Sequence, residues 1–242
     1  MIRRGKYLDA LKCETYTFTN NEVGSLEKSK KDAKKSDLVA FLLIIIMVGL
    51  FVLLIGEYDK QPEDANVYIQ AGHEGRVFGN TGSVSVYGRE MDWNTIVADE
   101  ATRILRNAGV SVIRAAADRK RISVVQLAIS IHFDGSKRAC RTGASVGFNN
   151  ASDKGAVRAW KRIYSQVFPF KWMRDNFSKN LSQYYNYRYT QVSDAELVLE
   201  LGEISCPEQA RWLKPRLKRL GGLVAYFAAQ RIGVSGVAKP RF

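Results

Sequence analysis

The sequence predicts an α/β domain, a mostly parallel central sheet with helices on both faces, preceded by one N-terminal transmembrane helix. Three observations predict it. Short apolar runs alternate with stretches of helical periodicity from residue 66 onward, the pattern of strands joined by crossover helices. Residues 38–55 contain eighteen residues without a charge. The balance of 46% hydrophobic and 25% charged residues is that of a globular chain and not of a disordered one.

The uncharged run LVAFLLIIIMVGLFVLLI has no polar face, so it does not read as a core helix of a soluble domain. With Gly56 it is long enough, at about 1.5 Å per residue, to cross a hydrocarbon layer of about 30 Å. Lys28, Lys30, Lys31, Lys34 and Lys35 precede it, whereas Glu57, Asp59, Glu63 and Asp64 follow. The positive-inside rule therefore places residues 1–37 in the cytoplasm as a tail, 38–56 in the membrane, and the rest in the periplasm or outside the cell. The long basic lead, the length of the apolar run and the lack of an A-x-A site favour a retained signal-anchor over a cleaved signal peptide. This gives a single-pass protein of the inner or plasma membrane.

Residues 57–65 (EYDKQPEDA) read as a polar linker, with the folded domain over 66–242. VYIQ (Val67 to Gln70) predicts a buried strand ending at Gly72. A Gly-rich loop follows. Trp93, Ile96, Val97, Ala101, Ile104 and Leu105 then recur at helical spacing until Gly109. VSVIR (Val110 to Arg114), VVQLAISIH (Val124 to His132) and SVGF (Ser145 to Phe148) predict further strands. Residues 153–185 predict one or two helices broken near Pro169. ELVLELG (Glu196 to Gly202) is a final apolar strand. Ser205-Cys206-Pro207-Glu208 predicts a capping box with proline in the first turn. The last helix turns Leu213, Leu217, Leu220, Val224 and Phe227 inward.

Chemistry-bearing residues collect where strands end. His73 and His132 are the chain's two histidines. His73 follows the first strand, in AGHEG, and His132 closes AISIH. Glu200 lies on LVLELG, where a carboxylate in so apolar a strand needs a partner. Sites of open α/β sheets gather at the carboxyl ends of strands, so these side chains can converge. Glu90 opens the first helix of the domain, a position that the helix dipole alone would explain. Three cysteines without a CxxC pair exclude a four-cysteine zinc module. Cys140 and Cys206 both fall on the exported side, where a disulfide persists, but spacing does not decide whether they pair.

The ordered set GHxG, E-x-D-x-N opening a helix, SIH, and LVLELG followed by Pro-Glu resembles the zinc-dependent N-acetylmuramoyl-L-alanine amidases of the Amidase_3 type. The resemblance runs from about Val67 to Ile232, and Asn94 and Arg114 match further recurrent positions. It implies that His73, Glu90 and His132 ligate Zn2+ and that Glu200 is the catalytic general base. It also implies that the substrate is peptidoglycan, cut between N-acetylmuramic acid and the L-alanine of the stem peptide, in a bacterial or phage-encoded protein.

Several positions depart from the family's pattern. Gln70-Ala71 replaces Asp-Pro, Asp134 replaces Asn, Glu203 and Cys206 replace Phe and Asn, and the segment between Arg114 and His132 is short. Asp134, Glu74 and Asp92 are candidates for carboxylates behind the ligands. Two alternatives stay open: an amidase-fold wall-binding or scaffold protein with a weakened site, and a zinc peptidase cutting within the stem peptide. A regulatory protein partner is also open. The net charge of +13 suits an anionic wall. Ten aromatics between Trp160 and Tyr189, interleaved with cations, read mainly as inward faces of amphipathic helices. Export argues against nucleic acid as their partner.

Overall fold

The computed structural model describes residues 20–58 and 61–242. The chain divides into two compact units at Tyr58 and Asp59. The expected cytoplasmic tail lies outside the described residues as far as residue 19, and Cys13 with it.

In the first unit, helix α1 spans Asn20–Tyr58 and contains the predicted 38–56 segment. Its window Lys34–Leu53 has a mean hydropathy of 2.8 and none of it is buried. By length and composition this helix can cross a membrane.

The second unit is built on a five-stranded sheet among the described residues, in the order β4-β1-β5-β7-β6. Its strands are β1 (Glu63–Ala71), β4 (Val112–Ala115), β5 (Ser123–Asp134), β6 (Ala144–Phe148) and β7 (Thr190–Glu203). All neighbours are parallel except β6, which runs antiparallel to β7. A two-stranded hairpin, β2 (Val84–Ser85) and β3 (Gly88–Arg89), stands in the Gly-rich loop. The first sheet strand begins at Glu63, three residues before the predicted start of the domain.

Alternation along the strands sorts side chains between two faces. Val67, Ile69, Leu127, Ile129, Ile131, Phe133, Leu197, Leu199 and Leu201 join the large core. This core packs under α2 (Glu90–Asn107), α3 (Lys154–Tyr164), α5 (Pro207–Leu213) and α6 (Leu217–Arg231). The alternate residues, among them Tyr68, Gln70, Ser130, His132 and Glu200, belong to the opposite face. There the cover is irregular chain: a single turn α4 (Lys179–Ser182) and a 3-10 turn at Tyr185–Arg188. The two faces thus divide the labour. One is apolar and holds most of the core, and the other combines a small apolar cluster around Tyr68, Ile113 and Val125 with the polar residues of the carboxyl edge.

Residues 153–185 hold α3 and the single turn α4 with a break between them that includes Pro169, because beyond Tyr164 the aromatics Phe168, Phe170 and Trp172 pack as a cluster around Tyr164 and Trp212 instead of along a helix. Two local expectations are corrected. The capping box at Ser205 does not form: Cys206 is the N-cap of α5 and makes no side-chain cap bond, while Ser205 Oγ donates to Glu203. The terminal helix is interrupted at Lys214–Arg216, where Pro215 cannot donate to the helical ladder. The inward residues are as expected, since Leu213, Leu217, Leu220, Val224 and Phe227 are all buried. Among the described residues no helix lies between β4 and β5, which accounts for the short spacing before His132.

Candidate metal centre

His73, Glu90 and His132 come from three different elements and converge at the carboxyl edge of the sheet. His73 sits two residues past β1 with φ of 62°, a left-handed conformation that a non-glycine residue seldom adopts. Glu90 is the first residue of α2, and His132 lies near the end of β5. All three are buried, and one ligand atom from each lies within 4.8 Å of the others. Glu90 Oε1 is 2.9 Å from His132 Nδ1 and 3.3 Å from His73 Nε2.

The atoms pointing away from the cluster are held as well. His73 Nδ1 lies 2.8 Å from the carbonyl of Asn80 and 3.3 Å from Arg76 Nη1, and its Nε2 faces Glu90. His132 Nε2 lies 2.9 Å from the Tyr184 hydroxyl. Glu90 Oε2 accepts from the amide of Ser83 at 2.8 Å. Asn94 Nδ2 donates to the Gly72 carbonyl at 2.9 Å and lies 3.4 Å from Glu90 Oε1. The loop carrying His73 is tied down through Glu74, whose carboxylate takes two bonds from Arg114 and one from Thr95. Gly72 itself gives way to the site: a Cβ there would fall 2.2 Å from the His132 ring.

Glu200 lies beside the cluster. It is the register partner of His132 across β5 and β7, and both line one cavity of about 570 Å³ with His73, Glu90, Asp134 and Tyr184. Its Oε2 has no hydrogen-bond partner among the described residues. Burial, reinforced by the negative charges of Glu90 and Asp134, pushes the Glu200 carboxyl well above the usual range. Burial would also raise Glu90, but the hydrogen bonds from His132 and His73 outweigh it and hold that carboxyl well below the usual range. Burial lowers His132 and keeps it neutral, as a ligand must be. Burial raises Asp134, against its bonds from Thr142 and the amide of Gly135. Three carboxyl groups thus surround two imidazoles with two acceptor oxygens, Glu200 Oε2 and Asp134 Oδ2, unpartnered among the described residues, an arrangement that a cation would balance.

Of the other sequence candidates, Asp134 lines the cavity while Glu74 and Asp92 do not touch the cluster. Asp92 pairs with Arg89 at the surface. The sequence does not mark Tyr184, Gln70 or two backbone groups of the Gly-rich loop, the Asn80 carbonyl and the Ser83 amide, as site groups. Only the density of tyrosines at 184–189 hinted at the first.

The altered positions after Glu200 turn out to work together. Glu203, fully buried, accepts from the amides of Cys140 and Thr142 at 2.9 and 2.6 Å and from the Thr142 hydroxyl. Cys140 and Cys206 form a disulfide with their Cα atoms 4.5 Å apart. The charge and the covalent bond pin the 135–143 loop against the end of β7.

A mostly parallel sheet with a His-Glu-His cluster at its carboxyl edge defines the class as an α/β fold with a candidate metal centre. Comparison with solved structures gives the particular fold. The catalytic domain of CwlV, an N-acetylmuramoyl-L-alanine amidase from Bacillus (Paenibacillus) polymyxa var. colistinus, superposes with a TM-score of 0.55 at 17% identity, covering 72% of this chain and 99% of that one. The amidase AmiC2 of Nostoc punctiforme gives 0.54 at 16%, over 69% and 96% of the two chains. The CwlD amidase from Clostridioides difficile, solved in complex with the GerS lipoprotein, gives 0.54 at 12%, over 71% and 100%. The second unit therefore has the fold of N-acetylmuramoyl-L-alanine amidase catalytic domains. No family model and no curated protein sequence matches the chain.

Proposed function

We propose that this chain is a membrane-anchored, zinc-dependent peptidoglycan amidase that cleaves the bond between N-acetylmuramic acid and the L-alanine of the stem peptide. The observation that carries the reading is the convergence of His73, Glu90 and His132 beside Glu200, on a fold shared with amidases of that name. Two imidazoles and one carboxylate are the donor set that would hold zinc, and Glu90 Oε1 lies within 3.3 Å of both imidazoles. Zinc, when bound, polarises the scissile carbonyl and acidifies the attacking water.

The remaining roles belong to side chains. Glu200, on the cavity wall, takes a proton from the attacking water and returns it to the departing amide nitrogen. Its free Oε2 is available for that transfer. Asp134 adds negative charge that makes Glu200 a stronger base once a cation is present. Residues 38–56 tether the enzyme and restrict cutting to wall near the membrane, and the excess of cations favours the anionic polymer.

The test is digestion of purified sacculi by the full-length chain in detergent, with and without a chelator, read by mass spectrometry. Free stem peptides beginning at L-Ala, lost on chelation and restored by zinc, are expected. Fragments cut within the stem would make it a peptidase. Wall binding without any cleavage would make it a scaffold.

A further inference from the structure

We infer that Tyr184, held by Gln70, is a positioning residue that presents His132 to a metal through Nδ1. This inference rests on the metal-centre reading above. Gln70 is fully buried on β1, and its amide orientation is fixed by a backbone carbonyl. Its Nε2 faces the Ala116 oxygen, which can only accept, and also faces Asn186 Oδ1. Its Oε1 therefore faces the Ser130 hydroxyl at 3.2 Å and the Tyr184 hydroxyl at 2.8 Å. Tyr184 has one phenolic proton. When that proton goes to Gln70 Oε1, the phenol oxygen is left as an acceptor for His132 Nε2–H, 2.9 Å away. Nε2 then keeps the imidazole proton, and Nδ1 turns a lone pair toward Glu90 and His73.

The hydroxyl also serves the metal-free state. With no cation, the Glu90 carboxylate competes for a proton on His132 Nδ1. Tyr184 can then donate to the bare Nε2 while Gln70 Oε1 keeps its bond from Ser130. One phenol holds the ring in place in both states, and its switch from donor to acceptor accompanies metal binding. Asn186 extends the support, since it accepts from both Tyr68 and Gln70. The Gln70 that departs from the family's Asp is thus matched to a tyrosine supplied by the irregular chain that covers this same face of the sheet. An outer partner of this kind fixes tautomer and orientation.

The test uses the full-length chain in detergent, labelled with 15N-histidine. The chain has two histidines, so assignment is direct. In the zinc-loaded wild type, long-range 1H–15N spectra should show His132 bound through Nδ1 with Nε2 protonated, and His73 bound through Nε2. Tyr184→Phe should weaken zinc affinity by about 10- to 100-fold in chelator competition, with little change in the Tm of the metal-free protein. Gln70→Glu, which keeps the acceptor for Tyr184, should preserve His132 as an Nδ1 ligand, and Gln70→Met should weaken zinc binding as Tyr184→Phe does. Unchanged zinc affinity in Tyr184→Phe, or His132 bound through Nε2 in the wild type, overturns the inference. If Tyr184→Phe fails to fold, the wild-type spectrum and Gln70→Met decide. A wild type that binds no zinc refutes the metal reading itself, a separate result.

Discussion

His132 and Glu200 stand opposite each other on adjacent parallel strands, partners in the register of β5 and β7. Parallel pairing puts both side chains on the same face, so the ladder alone brings a metal-ligand candidate and a carboxylate to one wall of the cavity. The antiparallel partner of Glu200 is Ser145 of β6, a small buried residue that leaves room beside it.

Replacing Glu200 should therefore separate chemistry from binding. Glu200→Gln keeps the shape and the buried volume but removes the base. We expect release of stem peptides to fall about 10²- to 10⁴-fold, the usual scale for general-base catalysis, while zinc content stays at one ion per chain. Activity within threefold of wild type would remove Glu200 from the mechanism.

Gly72→Ala tests the packing on which the centre depends. The added Cβ would meet the His132 imidazole at 2.2 Å, with Nδ1 and Nε2 within 2.6 Å, and backbone on a buried strand end has little freedom to retreat. The ring must swing away from Glu90. Zinc affinity measured by competition should drop at least about 10-fold, a loss on the scale of a disturbed ligand environment. Unaltered affinity would show that His132 can rearrange and still bind.

Much of this fold and its site was legible because strand alternation and loop chemistry are local. The runs at Val67, Val110, Val124 and Glu196 mark all four parallel strands, and the placement of His73 and His132 at strand ends follows from them. Glu90, ambiguous in sequence between a cap and a ligand, faces both histidines through Oε1 while the amide of Ser83, just before the hairpin, holds its Oε2. Tyr184 was not legible. It reaches His132 across 52 residues of sequence, from the irregular chain between α4 and the 3-10 turn, where helical spacing gives no direction for its hydroxyl. Cys140 and Cys206 were likewise undecided, since sequence spacing carries no information on the distance between their Cα atoms.

The disulfide and Glu203 should act on stability more than on the metal. The bond closes a loop of 66 residues, and chain-entropy scaling puts its effect at about 4 kcal/mol. Reduction, or Cys206→Ser, should lower the Tm by several degrees. Thiol titration of the native protein should find one reactive cysteine, Cys13, rising to three on reduction in denaturant. Glu203→Gln should also destabilise, because one amide oxygen cannot replace a carboxylate that accepts from two backbone amides and two hydroxyls. A native protein with three reactive thiols would exclude the bond.

Glu196 supplies the pH dependence. It lies on the polar face of β7, well away from the ligands in sequence and 5% exposed, with the Thr190 hydroxyl donating to it. Burial, opposed by that hydrogen bond and aided by the charge of Asp153, pushes its carboxyl from the ordinary 4.5 up to about 7. Below pH 4.5 the group is protonated whether the chain is folded or not, and it costs nothing. Between 4.5 and about 7 the unfolded chain releases the proton while the folded one retains it, so stability falls as pH rises. The slope is about 1.4 kcal/mol per pH unit, or about 3 kcal/mol over the interval, and the loss levels off above it. Glu196→Gln carries no such proton. Its Tm relative to wild type should therefore climb steadily between pH 4.5 and 7 and then stay level. A difference that does not change with pH would mean that Glu196 ionises as readily in the fold as in the unfolded chain.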